Sequence, residues 1–404
     1  MEVKHKKINI NYLLLCQGQF VSNLGNVIFD LALGIWILKI TGSKSLMATL
    51  MSISFIPKIF LGPFAGVICD LYDRKKIIIL SDLINGLFMI IVSILAILNI
   101  SQIWMFFAIS IILGINSCFF NPSINSLLPT IVEKESIVKC NSFLNVTRVS
   151  TEILGSSLGG FLLNIVSAPV LFLFNGISFF ISAITEIFIK LPIPNKRKIQ
   201  KVNFIQNLKE GFIYTWNFKG LKSLIFIATL LNFFTTMAMT ALIPYFICSK
   251  NLGSAKYGFS LSLMTIGMFL GMIIMSIVNV STKKKFNIFS FSGILFPLFF
   301  IIAINSRNYS ILLICFTLAG FFHATMHAFI GSSLQISIDS DKRGKVFAIY
   351  STCCNLLKPL GTILTGYLCE TFNEQSIISV SFLVILTIFS ISFFNRHLKS
   401  FINN

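Results

Sequence analysis

Two apolar runs, each long enough to cross a bilayer, are joined by Gly66-Val-Ile-Cys-Asp70-Leu-Tyr-Asp73-Arg74-Lys75-Lys76. Residues 46–69 carry one charge, Lys58, and residues 77–99 carry only Asp82. A spanning helix needs about 20 predominantly apolar residues. A turn with an acid at its start and three cations at its end cannot sit in hydrocarbon. The stretch is therefore a short water-facing hinge between two membrane helices, and the chain is polytopic.

Composition extends this to the whole chain. Apolar residues make up 55% and charged residues 11%, with a mean hydropathy of +0.86. Soluble domains are about 25% charged. Runs this long exclude a barrel, whose strands alternate over about 10 residues. The net charge of +18 does not mark a nucleic-acid binder, because the cations sit in short blocks between apolar runs. Such blocks hold loops on the cytoplasmic side and attract anionic lipid headgroups. Nine cysteines are scattered without metal-ligand spacing and read as small packing side chains. No metal and no other cofactor is expected.

The apolar runs place twelve spans over 12–38, 46–69, 77–98, 102–126, 142–165, 168–190, 222–248, 256–280, 286–304, 309–333, 346–369 and 375–395. The N-terminus, the even-numbered loops and the C-terminus hold 24 of the 32 lysines and arginines. The odd loops hold Lys39, Lys44, Lys250, Lys256 and Arg307, and three more cations lie inside spans. This bias predicts that both termini are cytoplasmic. The chain divides into an N-terminal six-helix bundle (1–190), a linker (191–221) and a C-terminal six-helix bundle (222–404). Phe204, Ile205, Leu208, Phe212 and Ile213 recur at helical spacing in the linker and predict an interfacial amphipathic helix. Two similar bundles flanking a substrate path are a common transporter plan.

These residues resemble the major facilitator superfamily. Gly66-x3-Asp70-x3-Arg74-Lys75 is similar to that family's loop after the second helix, with Leu71 in place of a basic residue and Asp73 in place of a glycine. Leu113 through Pro129, Asn141 through Gly160, Leu208-Lys-Glu-Gly211-Phe and Arg343-Gly344-Lys345-Val346-Phe347 resemble its macrolide-efflux branch, which also contains siderophore exporters. The resemblance implies an all-α fold of two pseudo-symmetric six-helix bundles in a bacterial cytoplasmic membrane. It implies export of a small amphipathic compound, such as a drug, a macrolide-like antibiotic or a siderophore, in exchange for protons. In the fifth helix Ser156 stands where the antiporter-type pattern has proline. The family also implies that Asp70 faces the positive end of the eleventh helix, where a carboxylate gains from the dipole. Gly66, Asp70, Asp73 and Arg74 would then form one side of a gate.

Charges inside spans are candidates for coupling or binding, because intramembrane ions are costly and mark pathways. Asp30 lies in the first span, and a low-dielectric site favours the neutral form of a carboxylate. That suits a group that takes up and releases a proton, or one that pairs a cationic substrate. Arg148 and Glu152 lie four apart in the fifth span and form either a switchable pair or a structural one. Lys58 and Lys358 fall near the middle of the second and eleventh spans. They could attract an anionic substrate, pair with Asp30 and Glu152, or snorkel to the interface. His323 and His327, four apart in the tenth span, either relay protons or pack as polar neighbours. Gly62-x3-Gly66, Gly155-x3-Gly159 with Gly160, and Gly267-x3-Gly271 allow close helix approach at the interface between bundles.

No GxxxxGK[ST] loop is present, so an ion gradient rather than a nucleotide would drive transport. No nucleophile–base pair points to an enzyme. Export by a monomer is the leading reading, and import of an anionic nutrient is the alternative that the cations suggest.

Overall fold

The computed structural model describes residues 10–132, 136–190, 212–278, 280–339 and 342–403. Among them there is helix and no strand. The expected linker residues Phe204, Ile205 and Leu208 lie outside the described residues, whereas Phe212 and Ile213 fall in a helical stretch over 212–217.

The helices are α1 (Ile10–Thr41), α2 (Lys44–Ile53), α3 (Phe55–Leu71), α4 (Arg74–Ile97), α5 (Ile103–Ile131), α6 (Ile137–Leu162), α7 (Ala168–Ile187), α8 (Lys219–Ile247), α9 (Ser254–Ile277), α10 (Thr282–Asn305), α11 (Tyr309–Ile336), α12 (Arg343–Leu356), α13 (Lys358–Thr371), α14 (Glu374–Ser392) and α15 (Arg396–Asn403). Among the described residues, 10 helical segments are long and apolar enough to cross a membrane. The sequence predicts twelve spans, and the other two expected segments are α6 and the run over 346–369. Polar side chains dilute α6, and the later run is divided at Leu357 into α12 and α13. The second span is likewise interrupted at Ser54. Both breaks have the same physical origin. Pro57 and Pro359 cannot donate to the carbonyls of Ile53 and Asn355, and a proline ring crowds the preceding turn.

The turns between helices follow from their polar residues. Asp73 caps α4 by accepting from the Lys75 N–H at 3.0 Å. Asn308 and Asn373 cap α11 and α14 in the same way, each satisfying a donor that the first turn leaves open. Gly42, at φ +66°, makes the tight reversal from α1 to α2.

The chain forms two compact units, Met1–Trp36 with Ile53–Ile199, and Ile37–Ser52 with Gln200–Asn404. In the first, α4 packs along α7 and α5, and α3 packs on α5. Helix α1 runs antiparallel to α7 through a stripe of small and amide residues. The Asn11 amide donates to the Lys190 carbonyl at 2.9 Å, Gly18 abuts Ser182 and Thr185, and Gly25 abuts Asn175 and Ser178. These α1 positions recur every seven residues, the spacing that keeps one helix face on a partner. Phe29, Trp36, Phe106 and Phe172 close the stripe with edge-to-face rings.

In the second unit, α9 and α10 both pack on α11, and α8 packs on α13 and α14. Phe289, Phe296, Phe300, Phe316, Phe382 and Phe389 form its buried aromatic core. The segment 37–52 belongs to this unit through a polar latch. Ser43 Oγ and the Ser45 N–H donate to Glu370 Oε1 at 3.1 and 2.9 Å. Lys44 donates to the Cys369 carbonyl at 2.8 Å and pairs with Glu374.

Candidate functional site

The structure gathers the candidate intramembrane ions read from the sequence into three groups, two in the first unit and one in the second. In the first unit, Asp30 on α1 lies in the field of Lys58 on α3, and Cys118 on α5 feels the same ammonium. Both Asp30 and Lys58 are exposed, so neither is sealed in the core. Lys58 also lies 5.3 Å from the Phe55 ring centroid, a contact that favours a cation. Arg148 and Glu152 on α6 act on each other electrostatically, as their four-residue spacing predicts.

The second unit holds the largest assembly. His323 and His327 lie side by side on α11 with ring centroids 4.5 Å apart and planes tilted by 53°, and the Phe296 ring centroid lies 4.8 Å from that of His323. His323 Nδ1 is buried without a hydrogen-bond partner. Lys358, the first residue of α13, acts on both imidazoles. The proline-induced break before α13 thus sets the lysine at a helix start instead of the middle of a continuous span.

The two histidines line a cavity of about 620 Å³ with Met268, Met272, Met275, Ser276, Ala324 and Ala328. The methionines lie at i, i+4 and i+7 on α9, which is one helical face. This methionine stripe escapes the sequence reading, although its helical period is visible and it belongs to the helix that pairs with α11. Thioethers on flexible stems adapt to varied apolar shapes. Among the described residues, no group of three His, Cys, Asp or Glu side chains could hold a metal ion.

The hinge residues have defined local partners. Arg74 Nη1 donates to the Ser126 carbonyl at 3.0 Å, and Lys75 Nζ donates to the Ile187 carbonyl at 2.7 Å. Arg74 and Lys75 therefore fasten the hinge to the ends of α5 and α7, while Asp73 caps α4. The side chains of Asp70 and Gly66 lie outside the described residues.

The glycines pack inside the units. A Cβ on Gly155 would lie 2.8 Å from Val27, and one on Gly159 would lie 3.3 Å from the Ile28 backbone, both on α1. Gly160 is buried beside them in sequence. Gly267 and Gly271 face the α11 backbone at Thr317 and Phe321. Among the described residues, nothing lies within 4 Å of a Cβ placed on Gly62.

Two units of packed apolar helices, with ionisable groups set inside the spans, define a multi-pass membrane transporter. The family model described as Major Facilitator Superfamily matches residues 15–356 and 225–399, and the chain belongs to that family. The chain is 22% identical over 393 residues to macrolide efflux protein A of Streptococcus pyogenes, covering 95% of this chain and 96% of that protein. It is 25% identical over 395 residues to the staphyloferrin A transporter of Staphylococcus aureus, covering 95% and 96%. The solved structure of the nucleoside transporter NupG superposes with a TM-score of 0.73 at 14% identity, covering 96% of this chain and 98% of that one. That likeness shows the fold. The family's members are transporters and not enzymes, and this one resides in the membrane as a multi-pass protein.

Proposed function

We propose that the protein exports a small amphipathic compound by alternating access, in exchange for protons. The observation that carries this reading is the methionine- and histidine-lined cavity of about 620 Å³. Its size falls within the ~300–1,000 Å³ of small-molecule sites. Its soft apolar wall with two imidazole handles suits a largely hydrophobic cargo bearing a few polar groups. The names of the relatives, a macrolide efflux protein and a staphyloferrin A transporter, support a cargo of that kind. Asp30 and Glu152 are the proposed proton carriers, and Asp70 with its hinge is the proposed gate between the bundles 1–190 and 222–404. The termini are proposed to be cytoplasmic, and the transporter is proposed to act as a monomer.

One observation favours a second reading. Lys358 acts on the histidines that line the cavity, and a cation there would attract an anionic nutrient for import.

The test is a susceptibility screen in a host stripped of its own pumps. Expression should lower the accumulation of at least one macrolide or hydrophobic dye, and a protonophore should restore it. An unchanged drug panel together with new growth on an anionic nutrient would support import instead.

A further inference from the structure

In the first unit, α4 and α7 pack along one another and carry two acids absent from the groups above. Asp82 on α4 and Glu186 on α7 are each only 1% exposed. Among the described residues, neither Asp82 carboxylate oxygen nor Glu186 Oε2 has a hydrogen-bond partner within 3.5 Å, and the Ser182 hydroxyl lies close to both acids. The two acids act on each other electrostatically, and Ser182 Oγ donates to Glu186 Oε1 at 3.5 Å. Helix α1 closes over them: a Cβ on Gly18 would lie 2.9 Å from Ser182 Oγ and 3.5 Å from Glu186 Oε1. The next residue, Gln19, is 9% exposed, and its Nε2 donor is also unpartnered.

No cation neutralises the pair among the described residues. Lys75, at the start of α4, donates to the Ile187 carbonyl, and Arg74 donates to the Ser126 carbonyl. Lys76 and Lys190 are exposed, and the backbone of Lys190 is bonded to Asn11. Helix α5 carries no Asp, Glu, Lys, Arg or His. On the neighbouring stretch of α1 the titratable groups are Tyr12, whose hydroxyl donates to the Cys140 carbonyl, and the buried Cys16. Two adjacent carboxylates cannot both ionise in a dry site without a counter-ion.

We propose that Asp82 and Glu186 together form a proton-binding site inside the first unit. Each acid supplies oxygens that a proton or a small cation would satisfy, and α1 shields them from water. The site would store a proton apart from Asp30 and Glu152, and its part in transport rests on the proton-exchange reading above.

Infrared difference spectroscopy on the full-length protein in lipid nanodiscs tests this without any transported cargo. At neutral pH the protein should show a protonated carboxylic C=O band that shifts in heavy water. The band should be lost in Asp82→Asn/Glu186→Gln and kept in Asp30→Asn/Glu152→Gln. If the double variant does not fold, the single variants decide: each must move or remove the band, and a band indifferent to both overturns the proposal. Replacing choline chloride by sodium chloride should leave the native band unchanged, and its loss in sodium would overturn the proposal in favour of a cation site. A pair-dependent band in a protein that exports nothing would refute the export reading and leave this site standing.

Discussion

Adding one methyl group where α9 crosses α11 should loosen the second unit measurably. A Cβ on Gly267 would fall 2.8 Å from the Thr317 carbonyl carbon and closer still to its oxygen. Reciprocally, a Cβ on Gly320 would fall 2.9 Å from the Met264 carbonyl carbon. Ordinary van der Waals contact begins near 3.4 Å, and the carbonyl oxygens are the nearest atoms, so the helices must part by more than about 1 Å, and backbone cannot rotate away as a side chain can. Overpacking of this kind costs about 1–3 kcal/mol, and two opposed backbones place Gly267→Ala at the upper end, ~3 kcal/mol. At ~2–4 °C per kcal/mol, the melting temperature should fall by about 5 °C or more. Gly331→Ala on α11 is the control. Nothing lies within 4 Å of that position, and alanine is the better helix former by up to ~1 kcal/mol. All nine cysteines are free and six are buried, so a thiol-reactive dye reports unfolding directly. The double variant Gly267→Ala/Gly320→Ala should lose less than the sum of the single variants, by about 1 kcal/mol or more, because one separation relieves both clashes. A Gly267→Ala protein as stable as Gly331→Ala, or strictly additive losses, would refute the reasoning.

Asp30→Asn should leave expression and melting unchanged but lower efflux about tenfold, the equivalent of ~1.4 kcal/mol. Radiolabelled-drug accumulation measures this, and normal efflux would remove Asp30 from the mechanism. Met272→Ala should alter the drug panel without abolishing transport, because a flexible wall residue tunes cargo preference, and an unchanged panel would argue against the cavity. The hydrogen bonds from Ser45 and Ser43 hold the Glu370 carboxyl below its usual range. A depressed folded-state value stabilises above the unfolded value and is lost as pH falls through the folded one. Melting followed to below about pH 4.5 should therefore show a small downward step that Glu370→Gln lacks, and identical pH profiles would refute the latch.

The apolar runs, the charged hinge and the Asp73 turn were all legible in the sequence, because each depends on local composition or on one capping side chain. The breaks at Ser54 and Leu357 were not read from the sequence, which gave unbroken spans there, although Pro57 and Pro359 stand just after them. Yet Pro122, Pro129, Pro244 and Pro297 sit inside helices that carry no such break, so proline alone does not decide. Intrahelical pairs such as Arg148 with Glu152 and His323 with His327 followed from spacing. Of the contacts between helices, Lys58 with Asp30 stood among several options in the sequence. Lys358 with the histidines and Asp82 with Glu186 need the packing of distant segments. The glycine motifs pointed to close approach, but their partners, Val27 for Gly155 and Thr317 for Gly267, are set by the packing of distant helices.

The latch at Ser43, Lys44 and Ser45 has a consequence for how the protein is made. Its partners Cys369 and Glu370 lie 325 and more residues further along the chain. During synthesis the 37–52 segment emerges with the first helices but finds its partners only when translation is nearly finished. Contacts so distant in sequence form late and slowly. The start of α2 must wait, with the Ser43 hydroxyl, the Lys44 ammonium and the Ser45 N–H lacking their distant partners, while most of the chain is inserted. A half-length product could thus assemble α4, α5 and α7 but would leave this segment without its seat, giving quality-control machinery a clear mark of an unfinished chain.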